Sequence, residues 1–253
     1  MEDTQRFYKT SIRYFVKLQE KEFEKWFLKY HKHLKGHKGG LILDVGCGAG
    51  QVVNKLAVDG LAAIGIDISL VGIKLSHKAR SNTQASFIVA SCYKMPFRGN
   101  TFDAIGCFDV LEHLINPELC MDEMIRVTVD DGKIIIASPN LICPVYANNL
   151  KSRLRTMKKL LQRLVRFKGE TNFEHREPIL DDSAEDIGRD LDAVTLLDPV
   201  TVKKILTKKR VTITYQSSYL GSRKIIEVLS RLPLLRNIGG GIFLVGRKMR
   251  KGP

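Results

Sequence analysis

Between residues 41 and 139 the chain alternates short apolar runs with longer stretches in which apolar positions recur every three or four residues. LILDV (41–45), LAAIGID (61–67), ASFIVA (85–90), FDAIGCF (102–108) and KIIIASP (133–139) are nearly uninterrupted, the pattern of parallel strands covered on both faces. Residues 51–58, 69–80 and 117–127 have helical spacing. Ser69 and Asn116 stand where N-caps belong, and Pro117 where the first helical residue belongs. Further along, a helix over 200–207 opened by Asp198, a strand VTITYQ (211–216), a helix over 223–232 and a strand GIFLVGR (241–247) bring the strands to seven. Alternation of this kind predicts an α/β fold with a mostly parallel sheet and helices on both faces. With no repeat and no Pro- or Ser-rich linker, residues 1–253 read as one domain. Its parts are an N-terminal helical arm (1–40), a core (41–140), an insertion after the fifth strand (146–198) and closing elements (199–253).

The strongest chemical signal is the turn after the first strand, Asp44-Val45-Gly46-Cys47-Gly48-Ala49-Gly50. Glycines at alternate positions let a ligand approach backbone at the carboxyl end of a strand, where open α/β sheets bind small molecules. A dinucleotide fingerprint starting at Gly46 requires glycine at position 51, which is Gln51, so a pyrophosphate ligand is disfavoured. Asp67, about 20 residues on at the end of the second strand, is where a carboxylate bonds the ribose hydroxyls of an adenosine.

Taken in order, LDVGCGAG, GIDIS, MPF, FDAIGCFDVLEHL and GKIIIASPN resemble the class I S-adenosylmethionine-dependent methyltransferases over about residues 30–140. DVLEHL resembles the type 11 group, which includes quinone-precursor O-methyltransferases. The resemblance implies a Rossmann-like seven-stranded sheet and S-adenosyl-L-methionine as cofactor. It implies that Asp44, Gly46, Gly48 and Gly50 bound the methionine end, that Asp67 holds the ribose, and that Ile68 lies against the adenine. By the same resemblance, Cys47 and Phe108 are expected to border the cofactor. Where relatives have Asp-Ala before the L-P-F element, this chain has Ser91-Cys92 before Met95-Pro96-Phe97. A neutral hydroxyl or the backbone must then take the adenine amino group, which predicts weaker cofactor binding.

Methyl transfer to a hydroxyl benefits from a general base or from a metal that lowers the acceptor's pKa. Asp109, Glu112 and His113 follow the fourth strand, and on a helical turn they share one face. Asp109-Val110-Leu111-Glu112-His113 resembles the E-x-x-E-H metal motif of ubiquinone-pathway and small-RNA methyltransferases, with Asp109 in place of the first Glu. His175 could complete a two-acid, two-His site for Mg or Mn. No metal is favoured over the alternative, in which Asp109 and Glu112 line the substrate pocket with Asn140, and His113 or His175 serves as the base.

Charge changes the picture of partners. The net +14 divides into +5 over residues 1–40, −3 over 41–147 and +12 over 148–253, so the basicity lies in the flanks. Its densest part is residues 150–168, LKSRLRTMKKLLQRLVRFK. Apolar residues there keep helical spacing, and eight cations occupy the rest without an acid. Such a helix fits a substrate lid, or peripheral contact with an anionic membrane. The acidic stretch Asp181 to Asp198 could pair with it. Nucleic acid is the weaker fit, because no aromatics are interleaved between 147 and 166. Five cysteines without two-residue spacing, and a charged start lacking an apolar stretch behind it, predict a cytoplasmic protein without disulfides or structural zinc. The leading expectation is methyl transfer to a hydroxyl of a small or lipid-linked acceptor. RNA 2′-O-methylation is the enzyme alternative, and a methyltransferase-like scaffold the non-enzyme one.

Overall fold

The computed structural model describes residues 7–8, 10–20, 25–35, 40–143, 150–165, 173–180, 192–218, 237 and 239–250. The helices are α1 (Ile12–Glu20), α2 (Lys25–Lys35), α3 (Gln51–Val58), α4 (Leu70–Lys78), α5 (Pro117–Val127), α6 (Leu150–Val165) and α7 (Pro199–Lys208). The strands are β1 (Ile42–Val45), β2 (Ala63–Asp67), β3 (Ala85–Val89), β4 (Phe102–Phe108), β5 (Thr128–Pro139), β6 (Glu174–His175), β7 (Thr195–Leu196), β8 (Val211–Ser217) and β9 (Gly241–Lys248).

Seven strands form one sheet in the order β3-β2-β1-β4-β5-β9-β8. β1 to β5 run parallel, and β9 enters antiparallel between β5 and β8. The chain winds outward from β1 to β3, then returns to the other side of β1 as β4. The carboxyl ends of β1 and β4 therefore flank the point where strand order reverses, which is where such sheets bind ligands.

The uninterrupted apolar runs have a direct cause. Along β1, β4 and β5, Leu43, Val45, Ile105, Cys107, Ile134 and Ile136 face a core shared with α5 and α7. The alternate residues Ile42, Ala104, Ile135 and Ala137 face a second core with Tyr30 and Leu34 of α2 and Val53 and Leu56 of α3. With both faces buried, period-two alternation disappears from the sequence.

Ser69 accepts from the Gly72 amide, Asn116 from Leu119, and Asp198 from Val200 and Thr201, so all three caps form where expected. Two strand features depart from the pattern. β5 starts at Thr128, not Lys133, because the pairing with β4 jumps from Phe102↔Thr128 to Ala104↔Lys133. The extra residues bulge through Asp131, whose φ is 61°. The ribbon β6–β7, only two residues on each side, has no pattern long enough to read. The expected helix at 223–232 and residues 166–168 of the basic stretch lie outside the described residues.

Of the acidic stretch, residues 181–191 lie outside the described residues. Asp198 caps α7, Asp192 bonds Tyr8, and Lys159 of α6 pairs with Glu174 at 2.7 Å. Asp198 and Asp192 flank chain entering the core, so their carboxylates serve nearby backbone and side-chain donors. Among the described residues no helix is long and apolar enough to cross a membrane.

Candidate functional site

The turn after β1 is tied to β2 by two donors, the amides of Gly46 and Cys47, which both reach the Ile66 carbonyl at 2.8 and 3.0 Å. Gly46, Gly48 and Gly50 have φ of 73°, 53° and 81°, left-handed values that side chains disfavour. Space is a second constraint at Gly46, where an added Cβ would stand 2.2 Å from Val110 Cγ2. The tight turn thus also brings the chain following β4 against the chain following β1.

Asp67 organises the opposite wall. Its Oδ2 accepts the Gly48 amide at 2.9 Å and its Oδ1 the Ser69 amide at 2.8 Å. Burial raises its pKa, while these backbone donors oppose the rise. Each carboxylate oxygen accepts two hydrogen bonds, so acceptor capacity remains on both for a diol. Ile68 follows directly. Ser91 and Cys92 leave β3 beside this strand end, where the Ala90 amide bonds the Asp67 carbonyl at 2.9 Å. Ser91 Oγ accepts the Tyr93 amide at 3.2 Å. The Cys92 thiol is raised in pKa by its hydrogen bond with Cys120 and by burial, and burial raises that of Cys47. All five cysteines are free in the structure.

Asp44 is buried at the end of β1, with its Oδ1 accepting the Tyr30 hydroxyl at 2.6 Å. Burial pushes its pKa up to about 7, against the Tyr30 hydrogen bond and with help from the Asp67 charge. Tyr30 comes from α2, packs on Phe108 with ring centroids 5.1 Å apart, and occupies the space a side chain at Gly106 would fill. Sequence reading missed it, since nothing in KWFLKYHKHLK distinguishes a tyrosine bound for Asp44.

After β4 the chain does not continue as the expected α-helical turn. Asp109 has φ 50° and is exposed, and its amide still bonds the Ala137 carbonyl of β5 at 2.9 Å. Only Leu111–His113 then form a 3-10 turn. Bonded to the β5 ladder, Asp109 stands outside the turn that carries Glu112 and His113. Glu112 is 0% exposed and accepts Ser138 Oγ at 2.5 Å, and its other oxygen lies 3.7 Å from His113 Nε2.

Other candidates lie apart. His175 is exposed, its Nδ1 3.0 Å from Thr195 Oγ1. Among the described residues no three His, Cys, Asp or Glu side chains are grouped to hold a metal, so Asp109, Glu112, His113 and His175 do not converge. Asn140 corrects another expectation. Its amide nitrogen donates to the carbonyls of Gly239 (2.7 Å) and Asn237 (3.3 Å), which clamps the approach to β9 and takes the amide away from an acceptor.

The arm covers this edge with aromatic side chains. Phe15 of α1 lies against Gly72 of α4. Tyr14 is held well above the usual phenol pKa by burial and by the charges of Asp192, Glu112, Asp109 and Asp67. Tyr8 lies 2.9 Å from His113 Nδ1 and donates to Asp192 Oδ2. The one sequence signal for this cover is the spacing of Phe7-Tyr8 and Tyr14-Phe15, seven residues apart, which repeats aromatics on one helical face.

Comparison with known proteins agrees with this geometry. Residues 43–136 match the family described as "Methyltransferase domain", of type 11. Demethylmenaquinone methyltransferase of Renibacterium salmoninarum is 32% identical over 99 residues, 39% of this chain and 41% of that protein. Ubiquinone biosynthesis O-methyltransferase of Coxiella burnetii is 27% identical over 115 residues, 45% and 49% of the two chains. The chain thus spans about half the length of the curated relatives it matches. The fold is shared with the methyltransferase solved in complex with the Trm112 methyltransferase activator of Haloferax volcanii (TM-score 0.62, 13% identity, 99% of each chain). A methyltransferase of Methanosarcina mazei shares it too (TM-score 0.55, 21% identity, 87% and 97% of the two chains). The sheet order, the glycine turn and the matched segment agree: residues 43–136 are similar to the methyltransferase domain of the type 11 group, on a sheet with the class I methyltransferase fold.

Proposed function

We propose that the protein transfers the methyl group of S-adenosylmethionine to a hydroxyl of a small or lipid-linked acceptor. The observation that carries this reading is the meeting of the Gly46–Gly48–Gly50 turn with the Asp67 carboxylate at the strand-order switch point. Those groups suit the cofactor chemically. Asp67 keeps acceptor capacity for the ribose diol, Asp44 and the turn would bound the methionine end, and Ile68, Ser91 and Cys92 would border the adenine. When bound, the cofactor supplies an electrophilic sulfonium methyl group.

The chain's own work is to orient the acceptor, exclude water and receive the hydroxyl proton. His113 is the base in this reading. It is partly buried behind β4 on the cofactor edge, and Glu112 lies 3.7 Å away to stabilise the imidazolium. His175, exposed on β6, is left without that role.

The lipid-linked alternative draws support from α6. Leu154 is 59% and Met157 43% exposed, among the exposed cations Lys151, Arg155 and Lys158. An amphipathic face of this kind suits peripheral contact with an anionic membrane. The quinone-pathway names of two relatives point to the same acceptor class.

Isothermal titration with S-adenosylhomocysteine tests the cofactor claim. Saturable one-site binding is expected, and no heat at millimolar ligand would remove the methyltransferase reading.

A further inference from the structure

We propose that Tyr8 and Asp192 are positioning residues that fix the proton of neutral His113 on Nδ1, leaving Nε2 as its basic nitrogen. The inference rests on the reading of His113 as the base and adds what orients it.

Three segments distant in the chain meet here: the arm, the turn after β4 and the chain entering β7. The Tyr8 hydroxyl is 2.9 Å from His113 Nδ1 and donates to Asp192 Oδ2, while Nδ1 and that oxygen are 3.7 Å apart, beyond direct hydrogen bonding. The phenol oxygen therefore mediates between ring and carboxylate.

Counting protons decides the direction. A phenol has one proton to donate, and an ionised carboxylate only accepts. Burial, above all, and nearby negative charge keep the Tyr8 phenol protonated. Its proton goes to Asp192, so the remaining contact of the phenol oxygen must be filled by a donor. That donor is Nδ1–H. The opposite tautomer would send the Tyr8 proton to Nδ1 and leave phenol oxygen and carboxylate in contact without a hydrogen between them, which is repulsive.

The other nitrogen then carries the lone pair. Nε2 faces Glu112 Oε1 at 3.7 Å, beyond hydrogen-bond range. That carboxylate therefore holds a ring proton less firmly than the 2.9 Å contact at Nδ1 does, and the second Glu112 oxygen is occupied by Ser138. A proton arriving at Nε2 meets a carboxylate on that side, while the Nδ1 proton stays on the chain leading to Asp192. The tyrosine ring is held independently of its hydroxyl. Its centroid lies 5.3 Å from those of Phe7 and His113 and 5.6 Å from that of Tyr14. Tyr8→Phe can thus remove the hydroxyl and keep the packing.

The test is the 15N signature of His113, read by long-range 1H–15N NMR above the pH at which the ring loses its charge, with and without S-adenosylhomocysteine. In the native protein Nδ1 should be pyrrole-like and Nε2 pyridine-like. Tyr8→Phe removes the acceptor of the Nδ1 proton, and Asp192→Ala frees the Tyr8 proton to donate to Nδ1. Each should shift the tautomer ratio toward Nε2–H by about tenfold, the worth of one lost hydrogen bond. Native protein with the proton on Nε2 would overturn the proposal, as would Nδ1–H unchanged in both variants. Folding is checked in the same samples by the dispersion of the other signals. A failure to bind S-adenosylhomocysteine would instead strike the methyltransferase reading, because the tautomer is measured without ligand as well.

Discussion

The two halves of the site are assembled in different ways. The half proposed to hold the cofactor is local: Asp44, the glycine turn, Asp67 and Ser69 come from 26 consecutive residues, joined by backbone amides of the same segment. The half proposed to meet the acceptor is remote. Tyr8 reaches His113 across 105 positions and Asp192 across 184, through side chains carried on separate elements. Backbone geometry makes the first half, and it must look alike wherever this turn occurs. Side-chain meetings between the arm, the turn after β4 and the chain entering β7 make the second.

The comparison is tested most severely where the halves touch. Gly46→Ala adds a Cβ at φ 73°, 2.2 Å from Val110 Cγ2, and should lower stability by about 2–5 kcal/mol from backbone strain plus overpacking. Val110→Ala in the same chain should restore the overpacking part and none of the strain, giving a coupling in a denaturant double-mutant cycle. Strict additivity would mean that the two turns are independent.

Asp67→Ala should weaken S-adenosylhomocysteine binding by about 2–4 kcal/mol, through loss of two charge-assisted hydrogen bonds to the ribose. Tyr8→Phe should leave that affinity within about twofold, since its hydroxyl bonds His113 and Asp192 and none of the turn groups, and separated sites act nearly independently. Equal losses from both, measured by calorimetry, would erase the distinction between the halves.

Asp44 tests the join between arm and core by pH. Its folded pKa of about 7 exceeds the ordinary 3.8. The folded state therefore holds the proton more tightly, and stability from this group falls as pH rises from about 4 to about 7, then stays level. Asp44→Asn should remove that slope, so the stability difference between the two proteins should change by a few kcal/mol, on the order of 1.4 per pH unit, across the window. A difference independent of pH would show that Asp44 stays ionised when buried.

The smallest effects are expected at α6. Lys158→Glu should reduce co-sedimentation with anionic vesicles by about 2 kcal/mol at low salt, twice the worth of one cation near a membrane surface, and should leave melting unchanged. Leu154→Glu should also release the protein from vesicles, yet shift stability by no more than about 0.5 kcal/mol, because that leucine is already exposed. A strongly destabilised Leu154→Glu protein would mean that α6 packs on the domain.

The sheet and the glycine turn with its Asp67 contact were legible in the amino-acid sequence because their determinants are local. Uninterrupted apolar runs, three capping side chains, alternate glycines and an acid at a strand end each act within a few residues, and spacing along the chain reports them. Asp109 shows the limit. Its spacing to Glu112 and His113 fits a helical face, but a hydrogen bond to Ala137 in the neighbouring strand keeps it in the ladder and out of the turn. Asn140 lies at the right strand end for an acceptor, and its amide is claimed by residues almost a hundred positions away. Tyr30 under Asp44, and Tyr8 between His113 and Asp192, carry no mark in their own neighbourhoods. Their roles depend on which side chains the packing of α2 and the arm brings within 3 Å, and only the folded chain sets that distance.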